Sequence, residues 1–237
     1  MDKYQFLEDS LKVYADFSDL DLQHLTQFGN FIGSNLIAFK QLFKSYLNKD
    51  TSYKVLSSLG KPAQITFDWE NDEITIEKNK LEIKFDSTLF LKYMNLIDIS
   101  YNDILPIGSV IEADLGGFPE GFKKLYKRSK EPALFILSGR KTPAHDIDTP
   151  HYVDYVARLF PFGETDVVPA FHISNMMIKR VVHLGFTNDD EVRFAEKIRQ
   201  DIIKSKVRSV GFLTEDEFKN LETMVSSTMD STLGGGS

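Results

Sequence analysis

The sequence predicts an α+β protein: an N-terminal helical hairpin, then an antiparallel β-meander, then a mixed, β-rich half that ends in helices. Three observations predict this order. In roughly the first fifty positions apolar residues recur at three- and four-residue steps. Between about 65 and 85 they alternate. Beyond Pro106, short β-branched and aromatic runs are separated by Gly, Pro and Asn until helical spacing returns.

The elements follow in chain order. Tyr4, Leu7, Leu11 and Tyr14 form one stripe of a short amphipathic helix. Ser18 and Asp19 supply capping chemistry for a second, longer helix with the stripe Leu22, Leu25, Phe28, Ile32, Leu36, Phe39, Phe43 and Tyr46, widened by Phe31, Leu42 and Leu47. Gly29 and Gly33 interrupt that helix and lie on one face. They read as a notch for a neighbouring backbone or as a break between two shorter helices. After Gly60-Lys61-Pro62, Ile65, Phe67 and Trp69, then Ile74 and Ile76, then Leu81, Ile83 and Phe85 predict three antiparallel strands, with turns at Asn71-Asp72 and Asn79. A helix is expected over about 87–96.

The second half opens with Pro106 and a strand beginning at Val110-Ile111, followed by a loop marked by Gly116, Gly117, Pro119 and Gly121. Strands are predicted over 133–137 and 152–160, with a third apolar run over 176–182. Asn188 with Glu191, and Thr214 with Glu217, have the capping-box spacing of helix starts. The first of these helices should turn Val192, Ala195, Ile198 and Ile202 inward. The second carries Phe218, Leu221 and Met224 or Val225. The expected divisions are 1–102 for the hairpin and meander, 103–210 for the α+β half, and 211–233 for a C-terminal helix. Residues 234–237 (Gly-Gly-Gly-Ser) read as a linker remnant.

Composition excludes several classes. There is no cysteine, so disulfides, thiolate chemistry and Cys-based zinc sites are out. The net charge of −7 and a pI near 5.3 argue against a nucleic-acid binder, which needs a basic face. The basic clusters around Lys123, Lys124 and Lys127, and around Lys197, Arg199 and Lys204, read as solvated faces. No apolar run approaches the roughly 18 residues of a membrane span. Met1-Asp2-Lys3-Tyr4 lacks a signal-peptide layout, so a cytoplasmic location is expected.

No catalytic, cofactor-binding or metal-binding residue is expected. His145, Asp146, Asp148, His151 and Asp154 are the densest set of metal-capable side chains. Their spacing matches no metal motif, and a polar loop collects such residues for solubility alone. Leu115-Gly116-Gly117-Phe118-Pro119-Glu120-Gly121 lacks the Gly-Lys-Ser/Thr ending of a phosphate loop and reads as a flexible turn. Ser138-Gly139-Arg140 is not a nucleophile elbow, and His24, His172 and His183 are isolated. Asp189-Asp190-Glu191 complements a helix dipole. The chain is therefore not expected to be an enzyme. A dispersed site around Asp148, His151 and Asp154 ranks last among the readings.

Leu105-Pro106-Ile107-Gly108-Ser109-Val110, Ser138-Gly139-Arg140, Asp154-Tyr155-Val156-Ala157-Arg158-Leu159-Phe160-Pro161-Phe162-Gly163, Phe171, Val181-Val182, Gly185-Phe186 and Asp189-Asp190-Glu191 together resemble the uncharacterised-domain family 4176 over about residues 103–200. The first hundred residues lie outside the resemblance, and the loop at 113–131 is longer than the family pattern. The resemblance implies a non-enzymatic chaperone or targeting adaptor, EsaE-like, of the type VII secretion system in Gram-positive bacteria. It would bind the N-terminal helical, LXG-type domain of a toxin before export, with small WXG-like helical proteins and the secretion ATPase as further partners. The alternative is an immunity protein that neutralises the toxin's C-terminal domain. An adaptor needs apolar surface, and the candidates are the hairpin aromatics Phe28, Phe31, Phe39, Phe43 and Tyr46. Equally, these could simply cover the meander sheet.

Overall fold

The fold is α+β, as a computed structural model describes it for residues 2–56, 61–118, 120–129, 131–144, 151–165, 168 and 170–217. The chain divides into two compact units, Met1–Asp103 and Ile104–Ser237.

The first unit begins with α1 (Lys3–Val13), capped by Asp2, and α2 (Leu22–Gly33), which pack as the expected hairpin. The cap of α2 is Asp21, which accepts from the amides of Gln23 and His24. Ser18 and Asp19 lie in the preceding turn. The expected long helix is two helices. It ends at Gly33, and Asn35 caps a new one, α3 (Leu36–Leu47). The glycines are also a packing notch. A Cβ on Gly29 would meet Leu7 Cδ2 at 2.5 Å, and one on Gly33 would meet the Tyr101 ring at 2.5 Å.

The sheet that follows has four strands, β1 (Ser52–Val55), β2 (Ala63–Asp68), β3 (Glu73–Lys78) and β4 (Leu81–Phe85), in that order and all antiparallel. Alternation identifies the last three. The register stacks Ile65, Ile76 and Ile83 in one row and Phe67, Ile74 and Phe85 in the next, all buried on one face. Asp72 and Asn79 take positive φ in the hairpin turns, a conformation that Asn and Asp tolerate better than other side chains. β1 escaped prediction because Ser-Tyr-Lys-Val buries only its last residue. Asp86 caps α4 (Ser87–Tyr101), which runs a turn beyond the expected end. Packed against α1 and α2 as well as β3 and β4, α4 has no polar face, and every residue from Tyr93 to Tyr101 is buried.

The second unit is built on a six-stranded sheet. Its main path runs β10 (Arg208–Ser209), β7 (His151–Leu159), β6 (Leu134–Ala144), β5 (Val110–Ala113), β9 (Ile178–His183), and β8 (Phe171–Ile173) also pairs with β7. One core cluster contains Ile111, Phe135, Leu137, Tyr155, Ala157 and Ile173. The segment expected as a glycine-rich loop is a 3₁₀ turn followed by α5 (Glu120–Ser129). Phe122 of α5 packs on Phe118, Phe135 and Phe171, with Tyr126 against Phe122, while Lys124 and Lys127 lie on the outer face of an amphipathic helix. After β9, Asn188 caps α6 (Asp189–Ser205). At Thr214 the capping box is reciprocal: Glu217 N–H donates to Thr214 Oγ1 (3.2 Å) and Thr214 N–H to Glu217 Oε2 (2.8 Å). Gly211 and Phe212 ahead of it belong to a 3₁₀ turn, with Phe212 fully buried. From 218 onward the expected helix lies outside the described residues. Among the described residues no helix is long and apolar enough to cross a membrane.

Two predictions follow from the first unit. Gly33→Ala gains at most about 1 kcal/mol of helix propensity but forces a methyl into the buried Tyr101 ring, an overpacking cost of about 1–3 kcal/mol. Its urea midpoint should fall, whereas Gly121→Ala, with open space around it, should not lower it. Burial pushes the Tyr101 hydroxyl up to about 12 and the Tyr93 hydroxyl well above its ordinary value. Above the ordinary tyrosine value of about 10 the folded chain then holds protons that the unfolded chain releases, so stability falls with rising pH. Unfolding free energy, followed by circular dichroism, should therefore drop as pH rises from about 10 towards 12, and Tyr101→Phe should flatten that dependence.

Candidate functional site

The five hairpin aromatics do not form a surface. Phe28, Phe39, Phe43 and Tyr46 are buried. The Phe28 ring packs against Tyr93, and Tyr46 stacks on Phe43 and packs against Phe67, Trp69 and Phe90. Phe31 is half-buried, with Lys78 Nζ 4.6 Å from its ring centre. The reason is that the meander presents a whole apolar face, and α2 to α4 supply the rings that cover it.

The metal-capable set fares differently. Residues 145–150 lie outside the described residues. His151 and Asp154 are buried in β7. The Asp154 carboxylate is fully engaged: it accepts from Lys141 Nζ (2.5 Å) on one oxygen, and from Ser209 Oγ (2.9 Å) and Asn175 N–H (3.2 Å) on the other. Lys141 lies over the rings of Tyr152 and Tyr155. Both charged side chains are almost entirely shielded from solvent (2% and 0% exposed). The arrangement is a buried ionic staple joining β6, β7, β10 and the turn before β9. Both oxygens of Asp154 are occupied, and the side chain is closed off from solvent. Among the described residues no cluster of three or more His, Asp or Glu could hold a metal.

The motifs in the second unit meet around a single turn. Ser109 N–H donates to Pro106 O (3.2 Å) with Gly108 at φ +84°, the geometry of a type II turn, which requires positive φ at its third position. Three contacts brace it. Leu105 N–H donates to the buried Tyr155 hydroxyl (3.0 Å), Gly108 N–H donates to Leu137 O (2.8 Å), and Leu137 N–H donates to Ser109 O (2.8 Å). Ser109 Oγ donates to Pro106 O (2.8 Å) and accepts from Gly185 N–H (3.0 Å). A side chain at 185 would run into the carbonyl of Ile107, so only glycine fits there. In β6 an extra residue near Ser138 shifts the register against β7, setting Arg140 opposite Tyr155 and Lys141 alongside Asp154. Arg140 forms a two-pronged ion pair with Glu191 and lies under the Phe194 ring (5.2 Å). The start of α6 is thereby fastened to the sheet.

What this scaffold holds outward is apolar. Gly185 is flanked by Leu184 and by Phe186, which is 81% exposed. Ile107 opposite it is exposed, as are Val192 and Phe194 in the first turns of α6 and Val181 and Val182 in β9. The expectation that Val192 faces inward is corrected. The buried residues of α6 are Arg199, Ile202 and Ile203, towards its far end. Glu112, clamped by Lys179 and Arg180 (2.6 Å each), is held below the usual carboxylate range by those two hydrogen bonds. One signal for this ribbon was present in the sequence: Phe194 is an aromatic off the stripe assigned inward.

Residues 104–194 match the model of the family described as Domain of unknown function (DUF4176). Neither the curated proteins nor the solved structures contain a match to the chain.

The staple generates a prediction. Asp154→Ala leaves a buried ammonium uncompensated and should cost about 3–5 kcal/mol in a denaturant titration. Replacing the pair together, Lys141→Met with Asp154→Leu, should restore part of that loss, because Ser209 Oγ and Asn175 N–H still lose the carboxylate they donate to. An Asp154→Ala variant as stable as the parent would contradict the assignment.

Proposed function

We propose that the chain is a non-enzymatic chaperone or targeting adaptor that binds the N-terminal helical, LXG-type domain of a type VII secretion toxin in the cytosol before export. One observation carries the reading. Within the segment matched by the family model, a braced turn and a fastened helix hold out large apolar side chains that the protein's own core does not cover. A rigid display of this kind suits protein recognition, since little ordering entropy is lost when a partner arrives. Contiguity with the resemblance motifs supports placing the function in the second unit. The small WXG-like helical proteins and the secretion ATPase are the further partners of this reading.

The test is co-purification with the toxin split into its N-terminal and C-terminal domains, the full chain serving as bait. Capture of the N-terminal domain is the expected result. Capture of the C-terminal domain alone would replace this reading with the immunity one, and capture of neither would remove both.

A further inference from the structure

The first unit lies outside the family match, and it holds a cleft between α2 and the turn that joins β3 to β4. The cleft encloses about 270 Å³. Ligand pockets begin at roughly 300 Å³, so only a small group fits. His24 and Gln27, one turn apart on α2, line one wall. Lys78, Asn79 and Lys80 line the other. Phe28 and Leu81, both buried, give it an apolar floor.

The lysines set this cleft apart. β3 alternates, so Ile74, Ile76 and Lys78 share the core-facing side, and Glu77 lies on the other. A lysine thus occupies the last core-facing position of the strand, opposite the buried Leu81. It is half-buried, with its Nζ over the Phe31 ring. Lys84, on the outer face of the same hairpin, pairs with Glu73 at 2.9 Å. Among the described residues neither Lys78 nor Lys80 has a carboxylate partner, although the chain carries 35 acidic residues against 28 basic ones. The described residues that line the cleft include no Asp or Glu. Glu77 and Glu82 pair on the opposite side of the sheet. Asp21, beside the α2 wall, is engaged as the helix cap, accepting from the amides of Gln23 and His24. Even with Asp21 counted, the two lysines leave the cleft positive.

The donors define the ligand's class. Two ammonium groups, the Gln27 and Asn79 amides and the His24 ring offer more donors than the two coplanar oxygens of a carboxylate can use. No arginine lines the cleft to grip a carboxylate with its planar fork. A phosphate monoester has three terminal oxygens and a charge of roughly −1.5 to −2 at pH 7, which matches two lysines acting as point charges. The floor and the aliphatic stem of Lys78 suit an apolar body beside the phosphate.

We propose that the cleft between α2 and the β3–β4 turn binds a small phosphate monoester with an apolar body, its phosphate held by Lys78 and Lys80. The site belongs to the first unit and does not rest on the adaptor reading.

The test uses the full chain, with phenyl phosphate as the probe and two-dimensional amide NMR as the readout. Shifts should centre on α2 and the β3–β4 turn and saturate with a Kd of about 1 mM, as suits so small a molecule. Inorganic phosphate, which lacks the apolar body, and benzoate, which lacks the phosphate, should each bind about threefold more weakly or worse. Lys78→Gln and Lys80→Gln should each weaken phenyl phosphate binding about three- to fivefold, and the two together should abolish it. Lys84→Gln, which breaks the outer pair with Glu73, should leave it unchanged. Far-UV circular dichroism checks that each variant is folded. A short phosphotyrosine peptide identifies the source of the ligand: tighter binding than phenyl phosphate marks a phosphorylated side chain of a partner, and weaker binding marks a free metabolite. No saturable shifts by about 10 mM probe, shifts centred elsewhere, equal binding of benzoate or of inorganic phosphate, or indifference to the double lysine variant would each overturn the proposal.

Discussion

The second unit depends on one close approach. The backbone at Gly185 lies against the Ile107 carbonyl, and its N–H is held by Ser109 Oγ. This needs two things at once: a residue without a side chain at 185 and a turn with positive φ at Gly108 opposite it. A Cβ at 185 would push β9 and the following loop away from the Pro106–Ser109 turn. The position of Leu184, Phe186 and the start of α6 would go with it. The turn is in turn pinned by the buried Tyr155 hydroxyl and by two backbone hydrogen bonds to Leu137. Ile107, Leu184 and Phe186 are thus displayed by a backbone pinned at several points, not by a loose loop.

That constraint explains why motifs scattered over ninety positions belong together. Leu-Pro-Ile-Gly-Ser-Val is the turn; Tyr155 is its brace; Gly185-Phe186 is the strand exit packed on it; Arg140 and Glu191 fasten the helix that follows. Asp154, the polar residue at the head of its motif, serves the staple with Lys141 and Ser209. Read as chemistry, an Asp near a His and a Ser invites a catalytic interpretation. Read by burial, the same carboxylate has every oxygen occupied. Desolvating an ion pair of this kind is worthwhile only with good geometry and further hydrogen bonds, and the staple has both.

Much of the fold was legible because periodicity reports a buried face directly. Strands β2, β3 and β4 of the meander follow that rule, and apolar runs mark β5, β6 and β7 of the second sheet. What failed did so for physical reasons. β1 has one buried residue and so no alternation to detect. The break at Gly33 was visible as an alternative, but apolar spacing continues through it, because α2 and α3 share one sheet to cover. α5 hid behind its glycines, since Phe122 and Tyr126 are too few to announce a stripe. The aromatic residues of the hairpin looked too numerous for a short helix to bury. All but Phe31 are buried, because a four-stranded sheet and a mostly buried α4 lie beneath them, and neither is visible from the hairpin alone. Surface was the least legible property. Phe186 and Phe194 differ from core phenylalanines only in what the tertiary fold leaves beside them.

A natural sequence keeps its local choices consistent with its global fold, and departures collect where something other than stability is selected. In this chain the departures are unevenly placed. In the first unit the glycines in a helix, the aromatic excess and the apolar α4 each find a packing reason inside the unit. In the second, buried charges likewise find partners. What finds no internal reason is a set of large apolar side chains held outward at the junction of β9 and α6, next to a strand edge that bulges and charge make unfit for pairing.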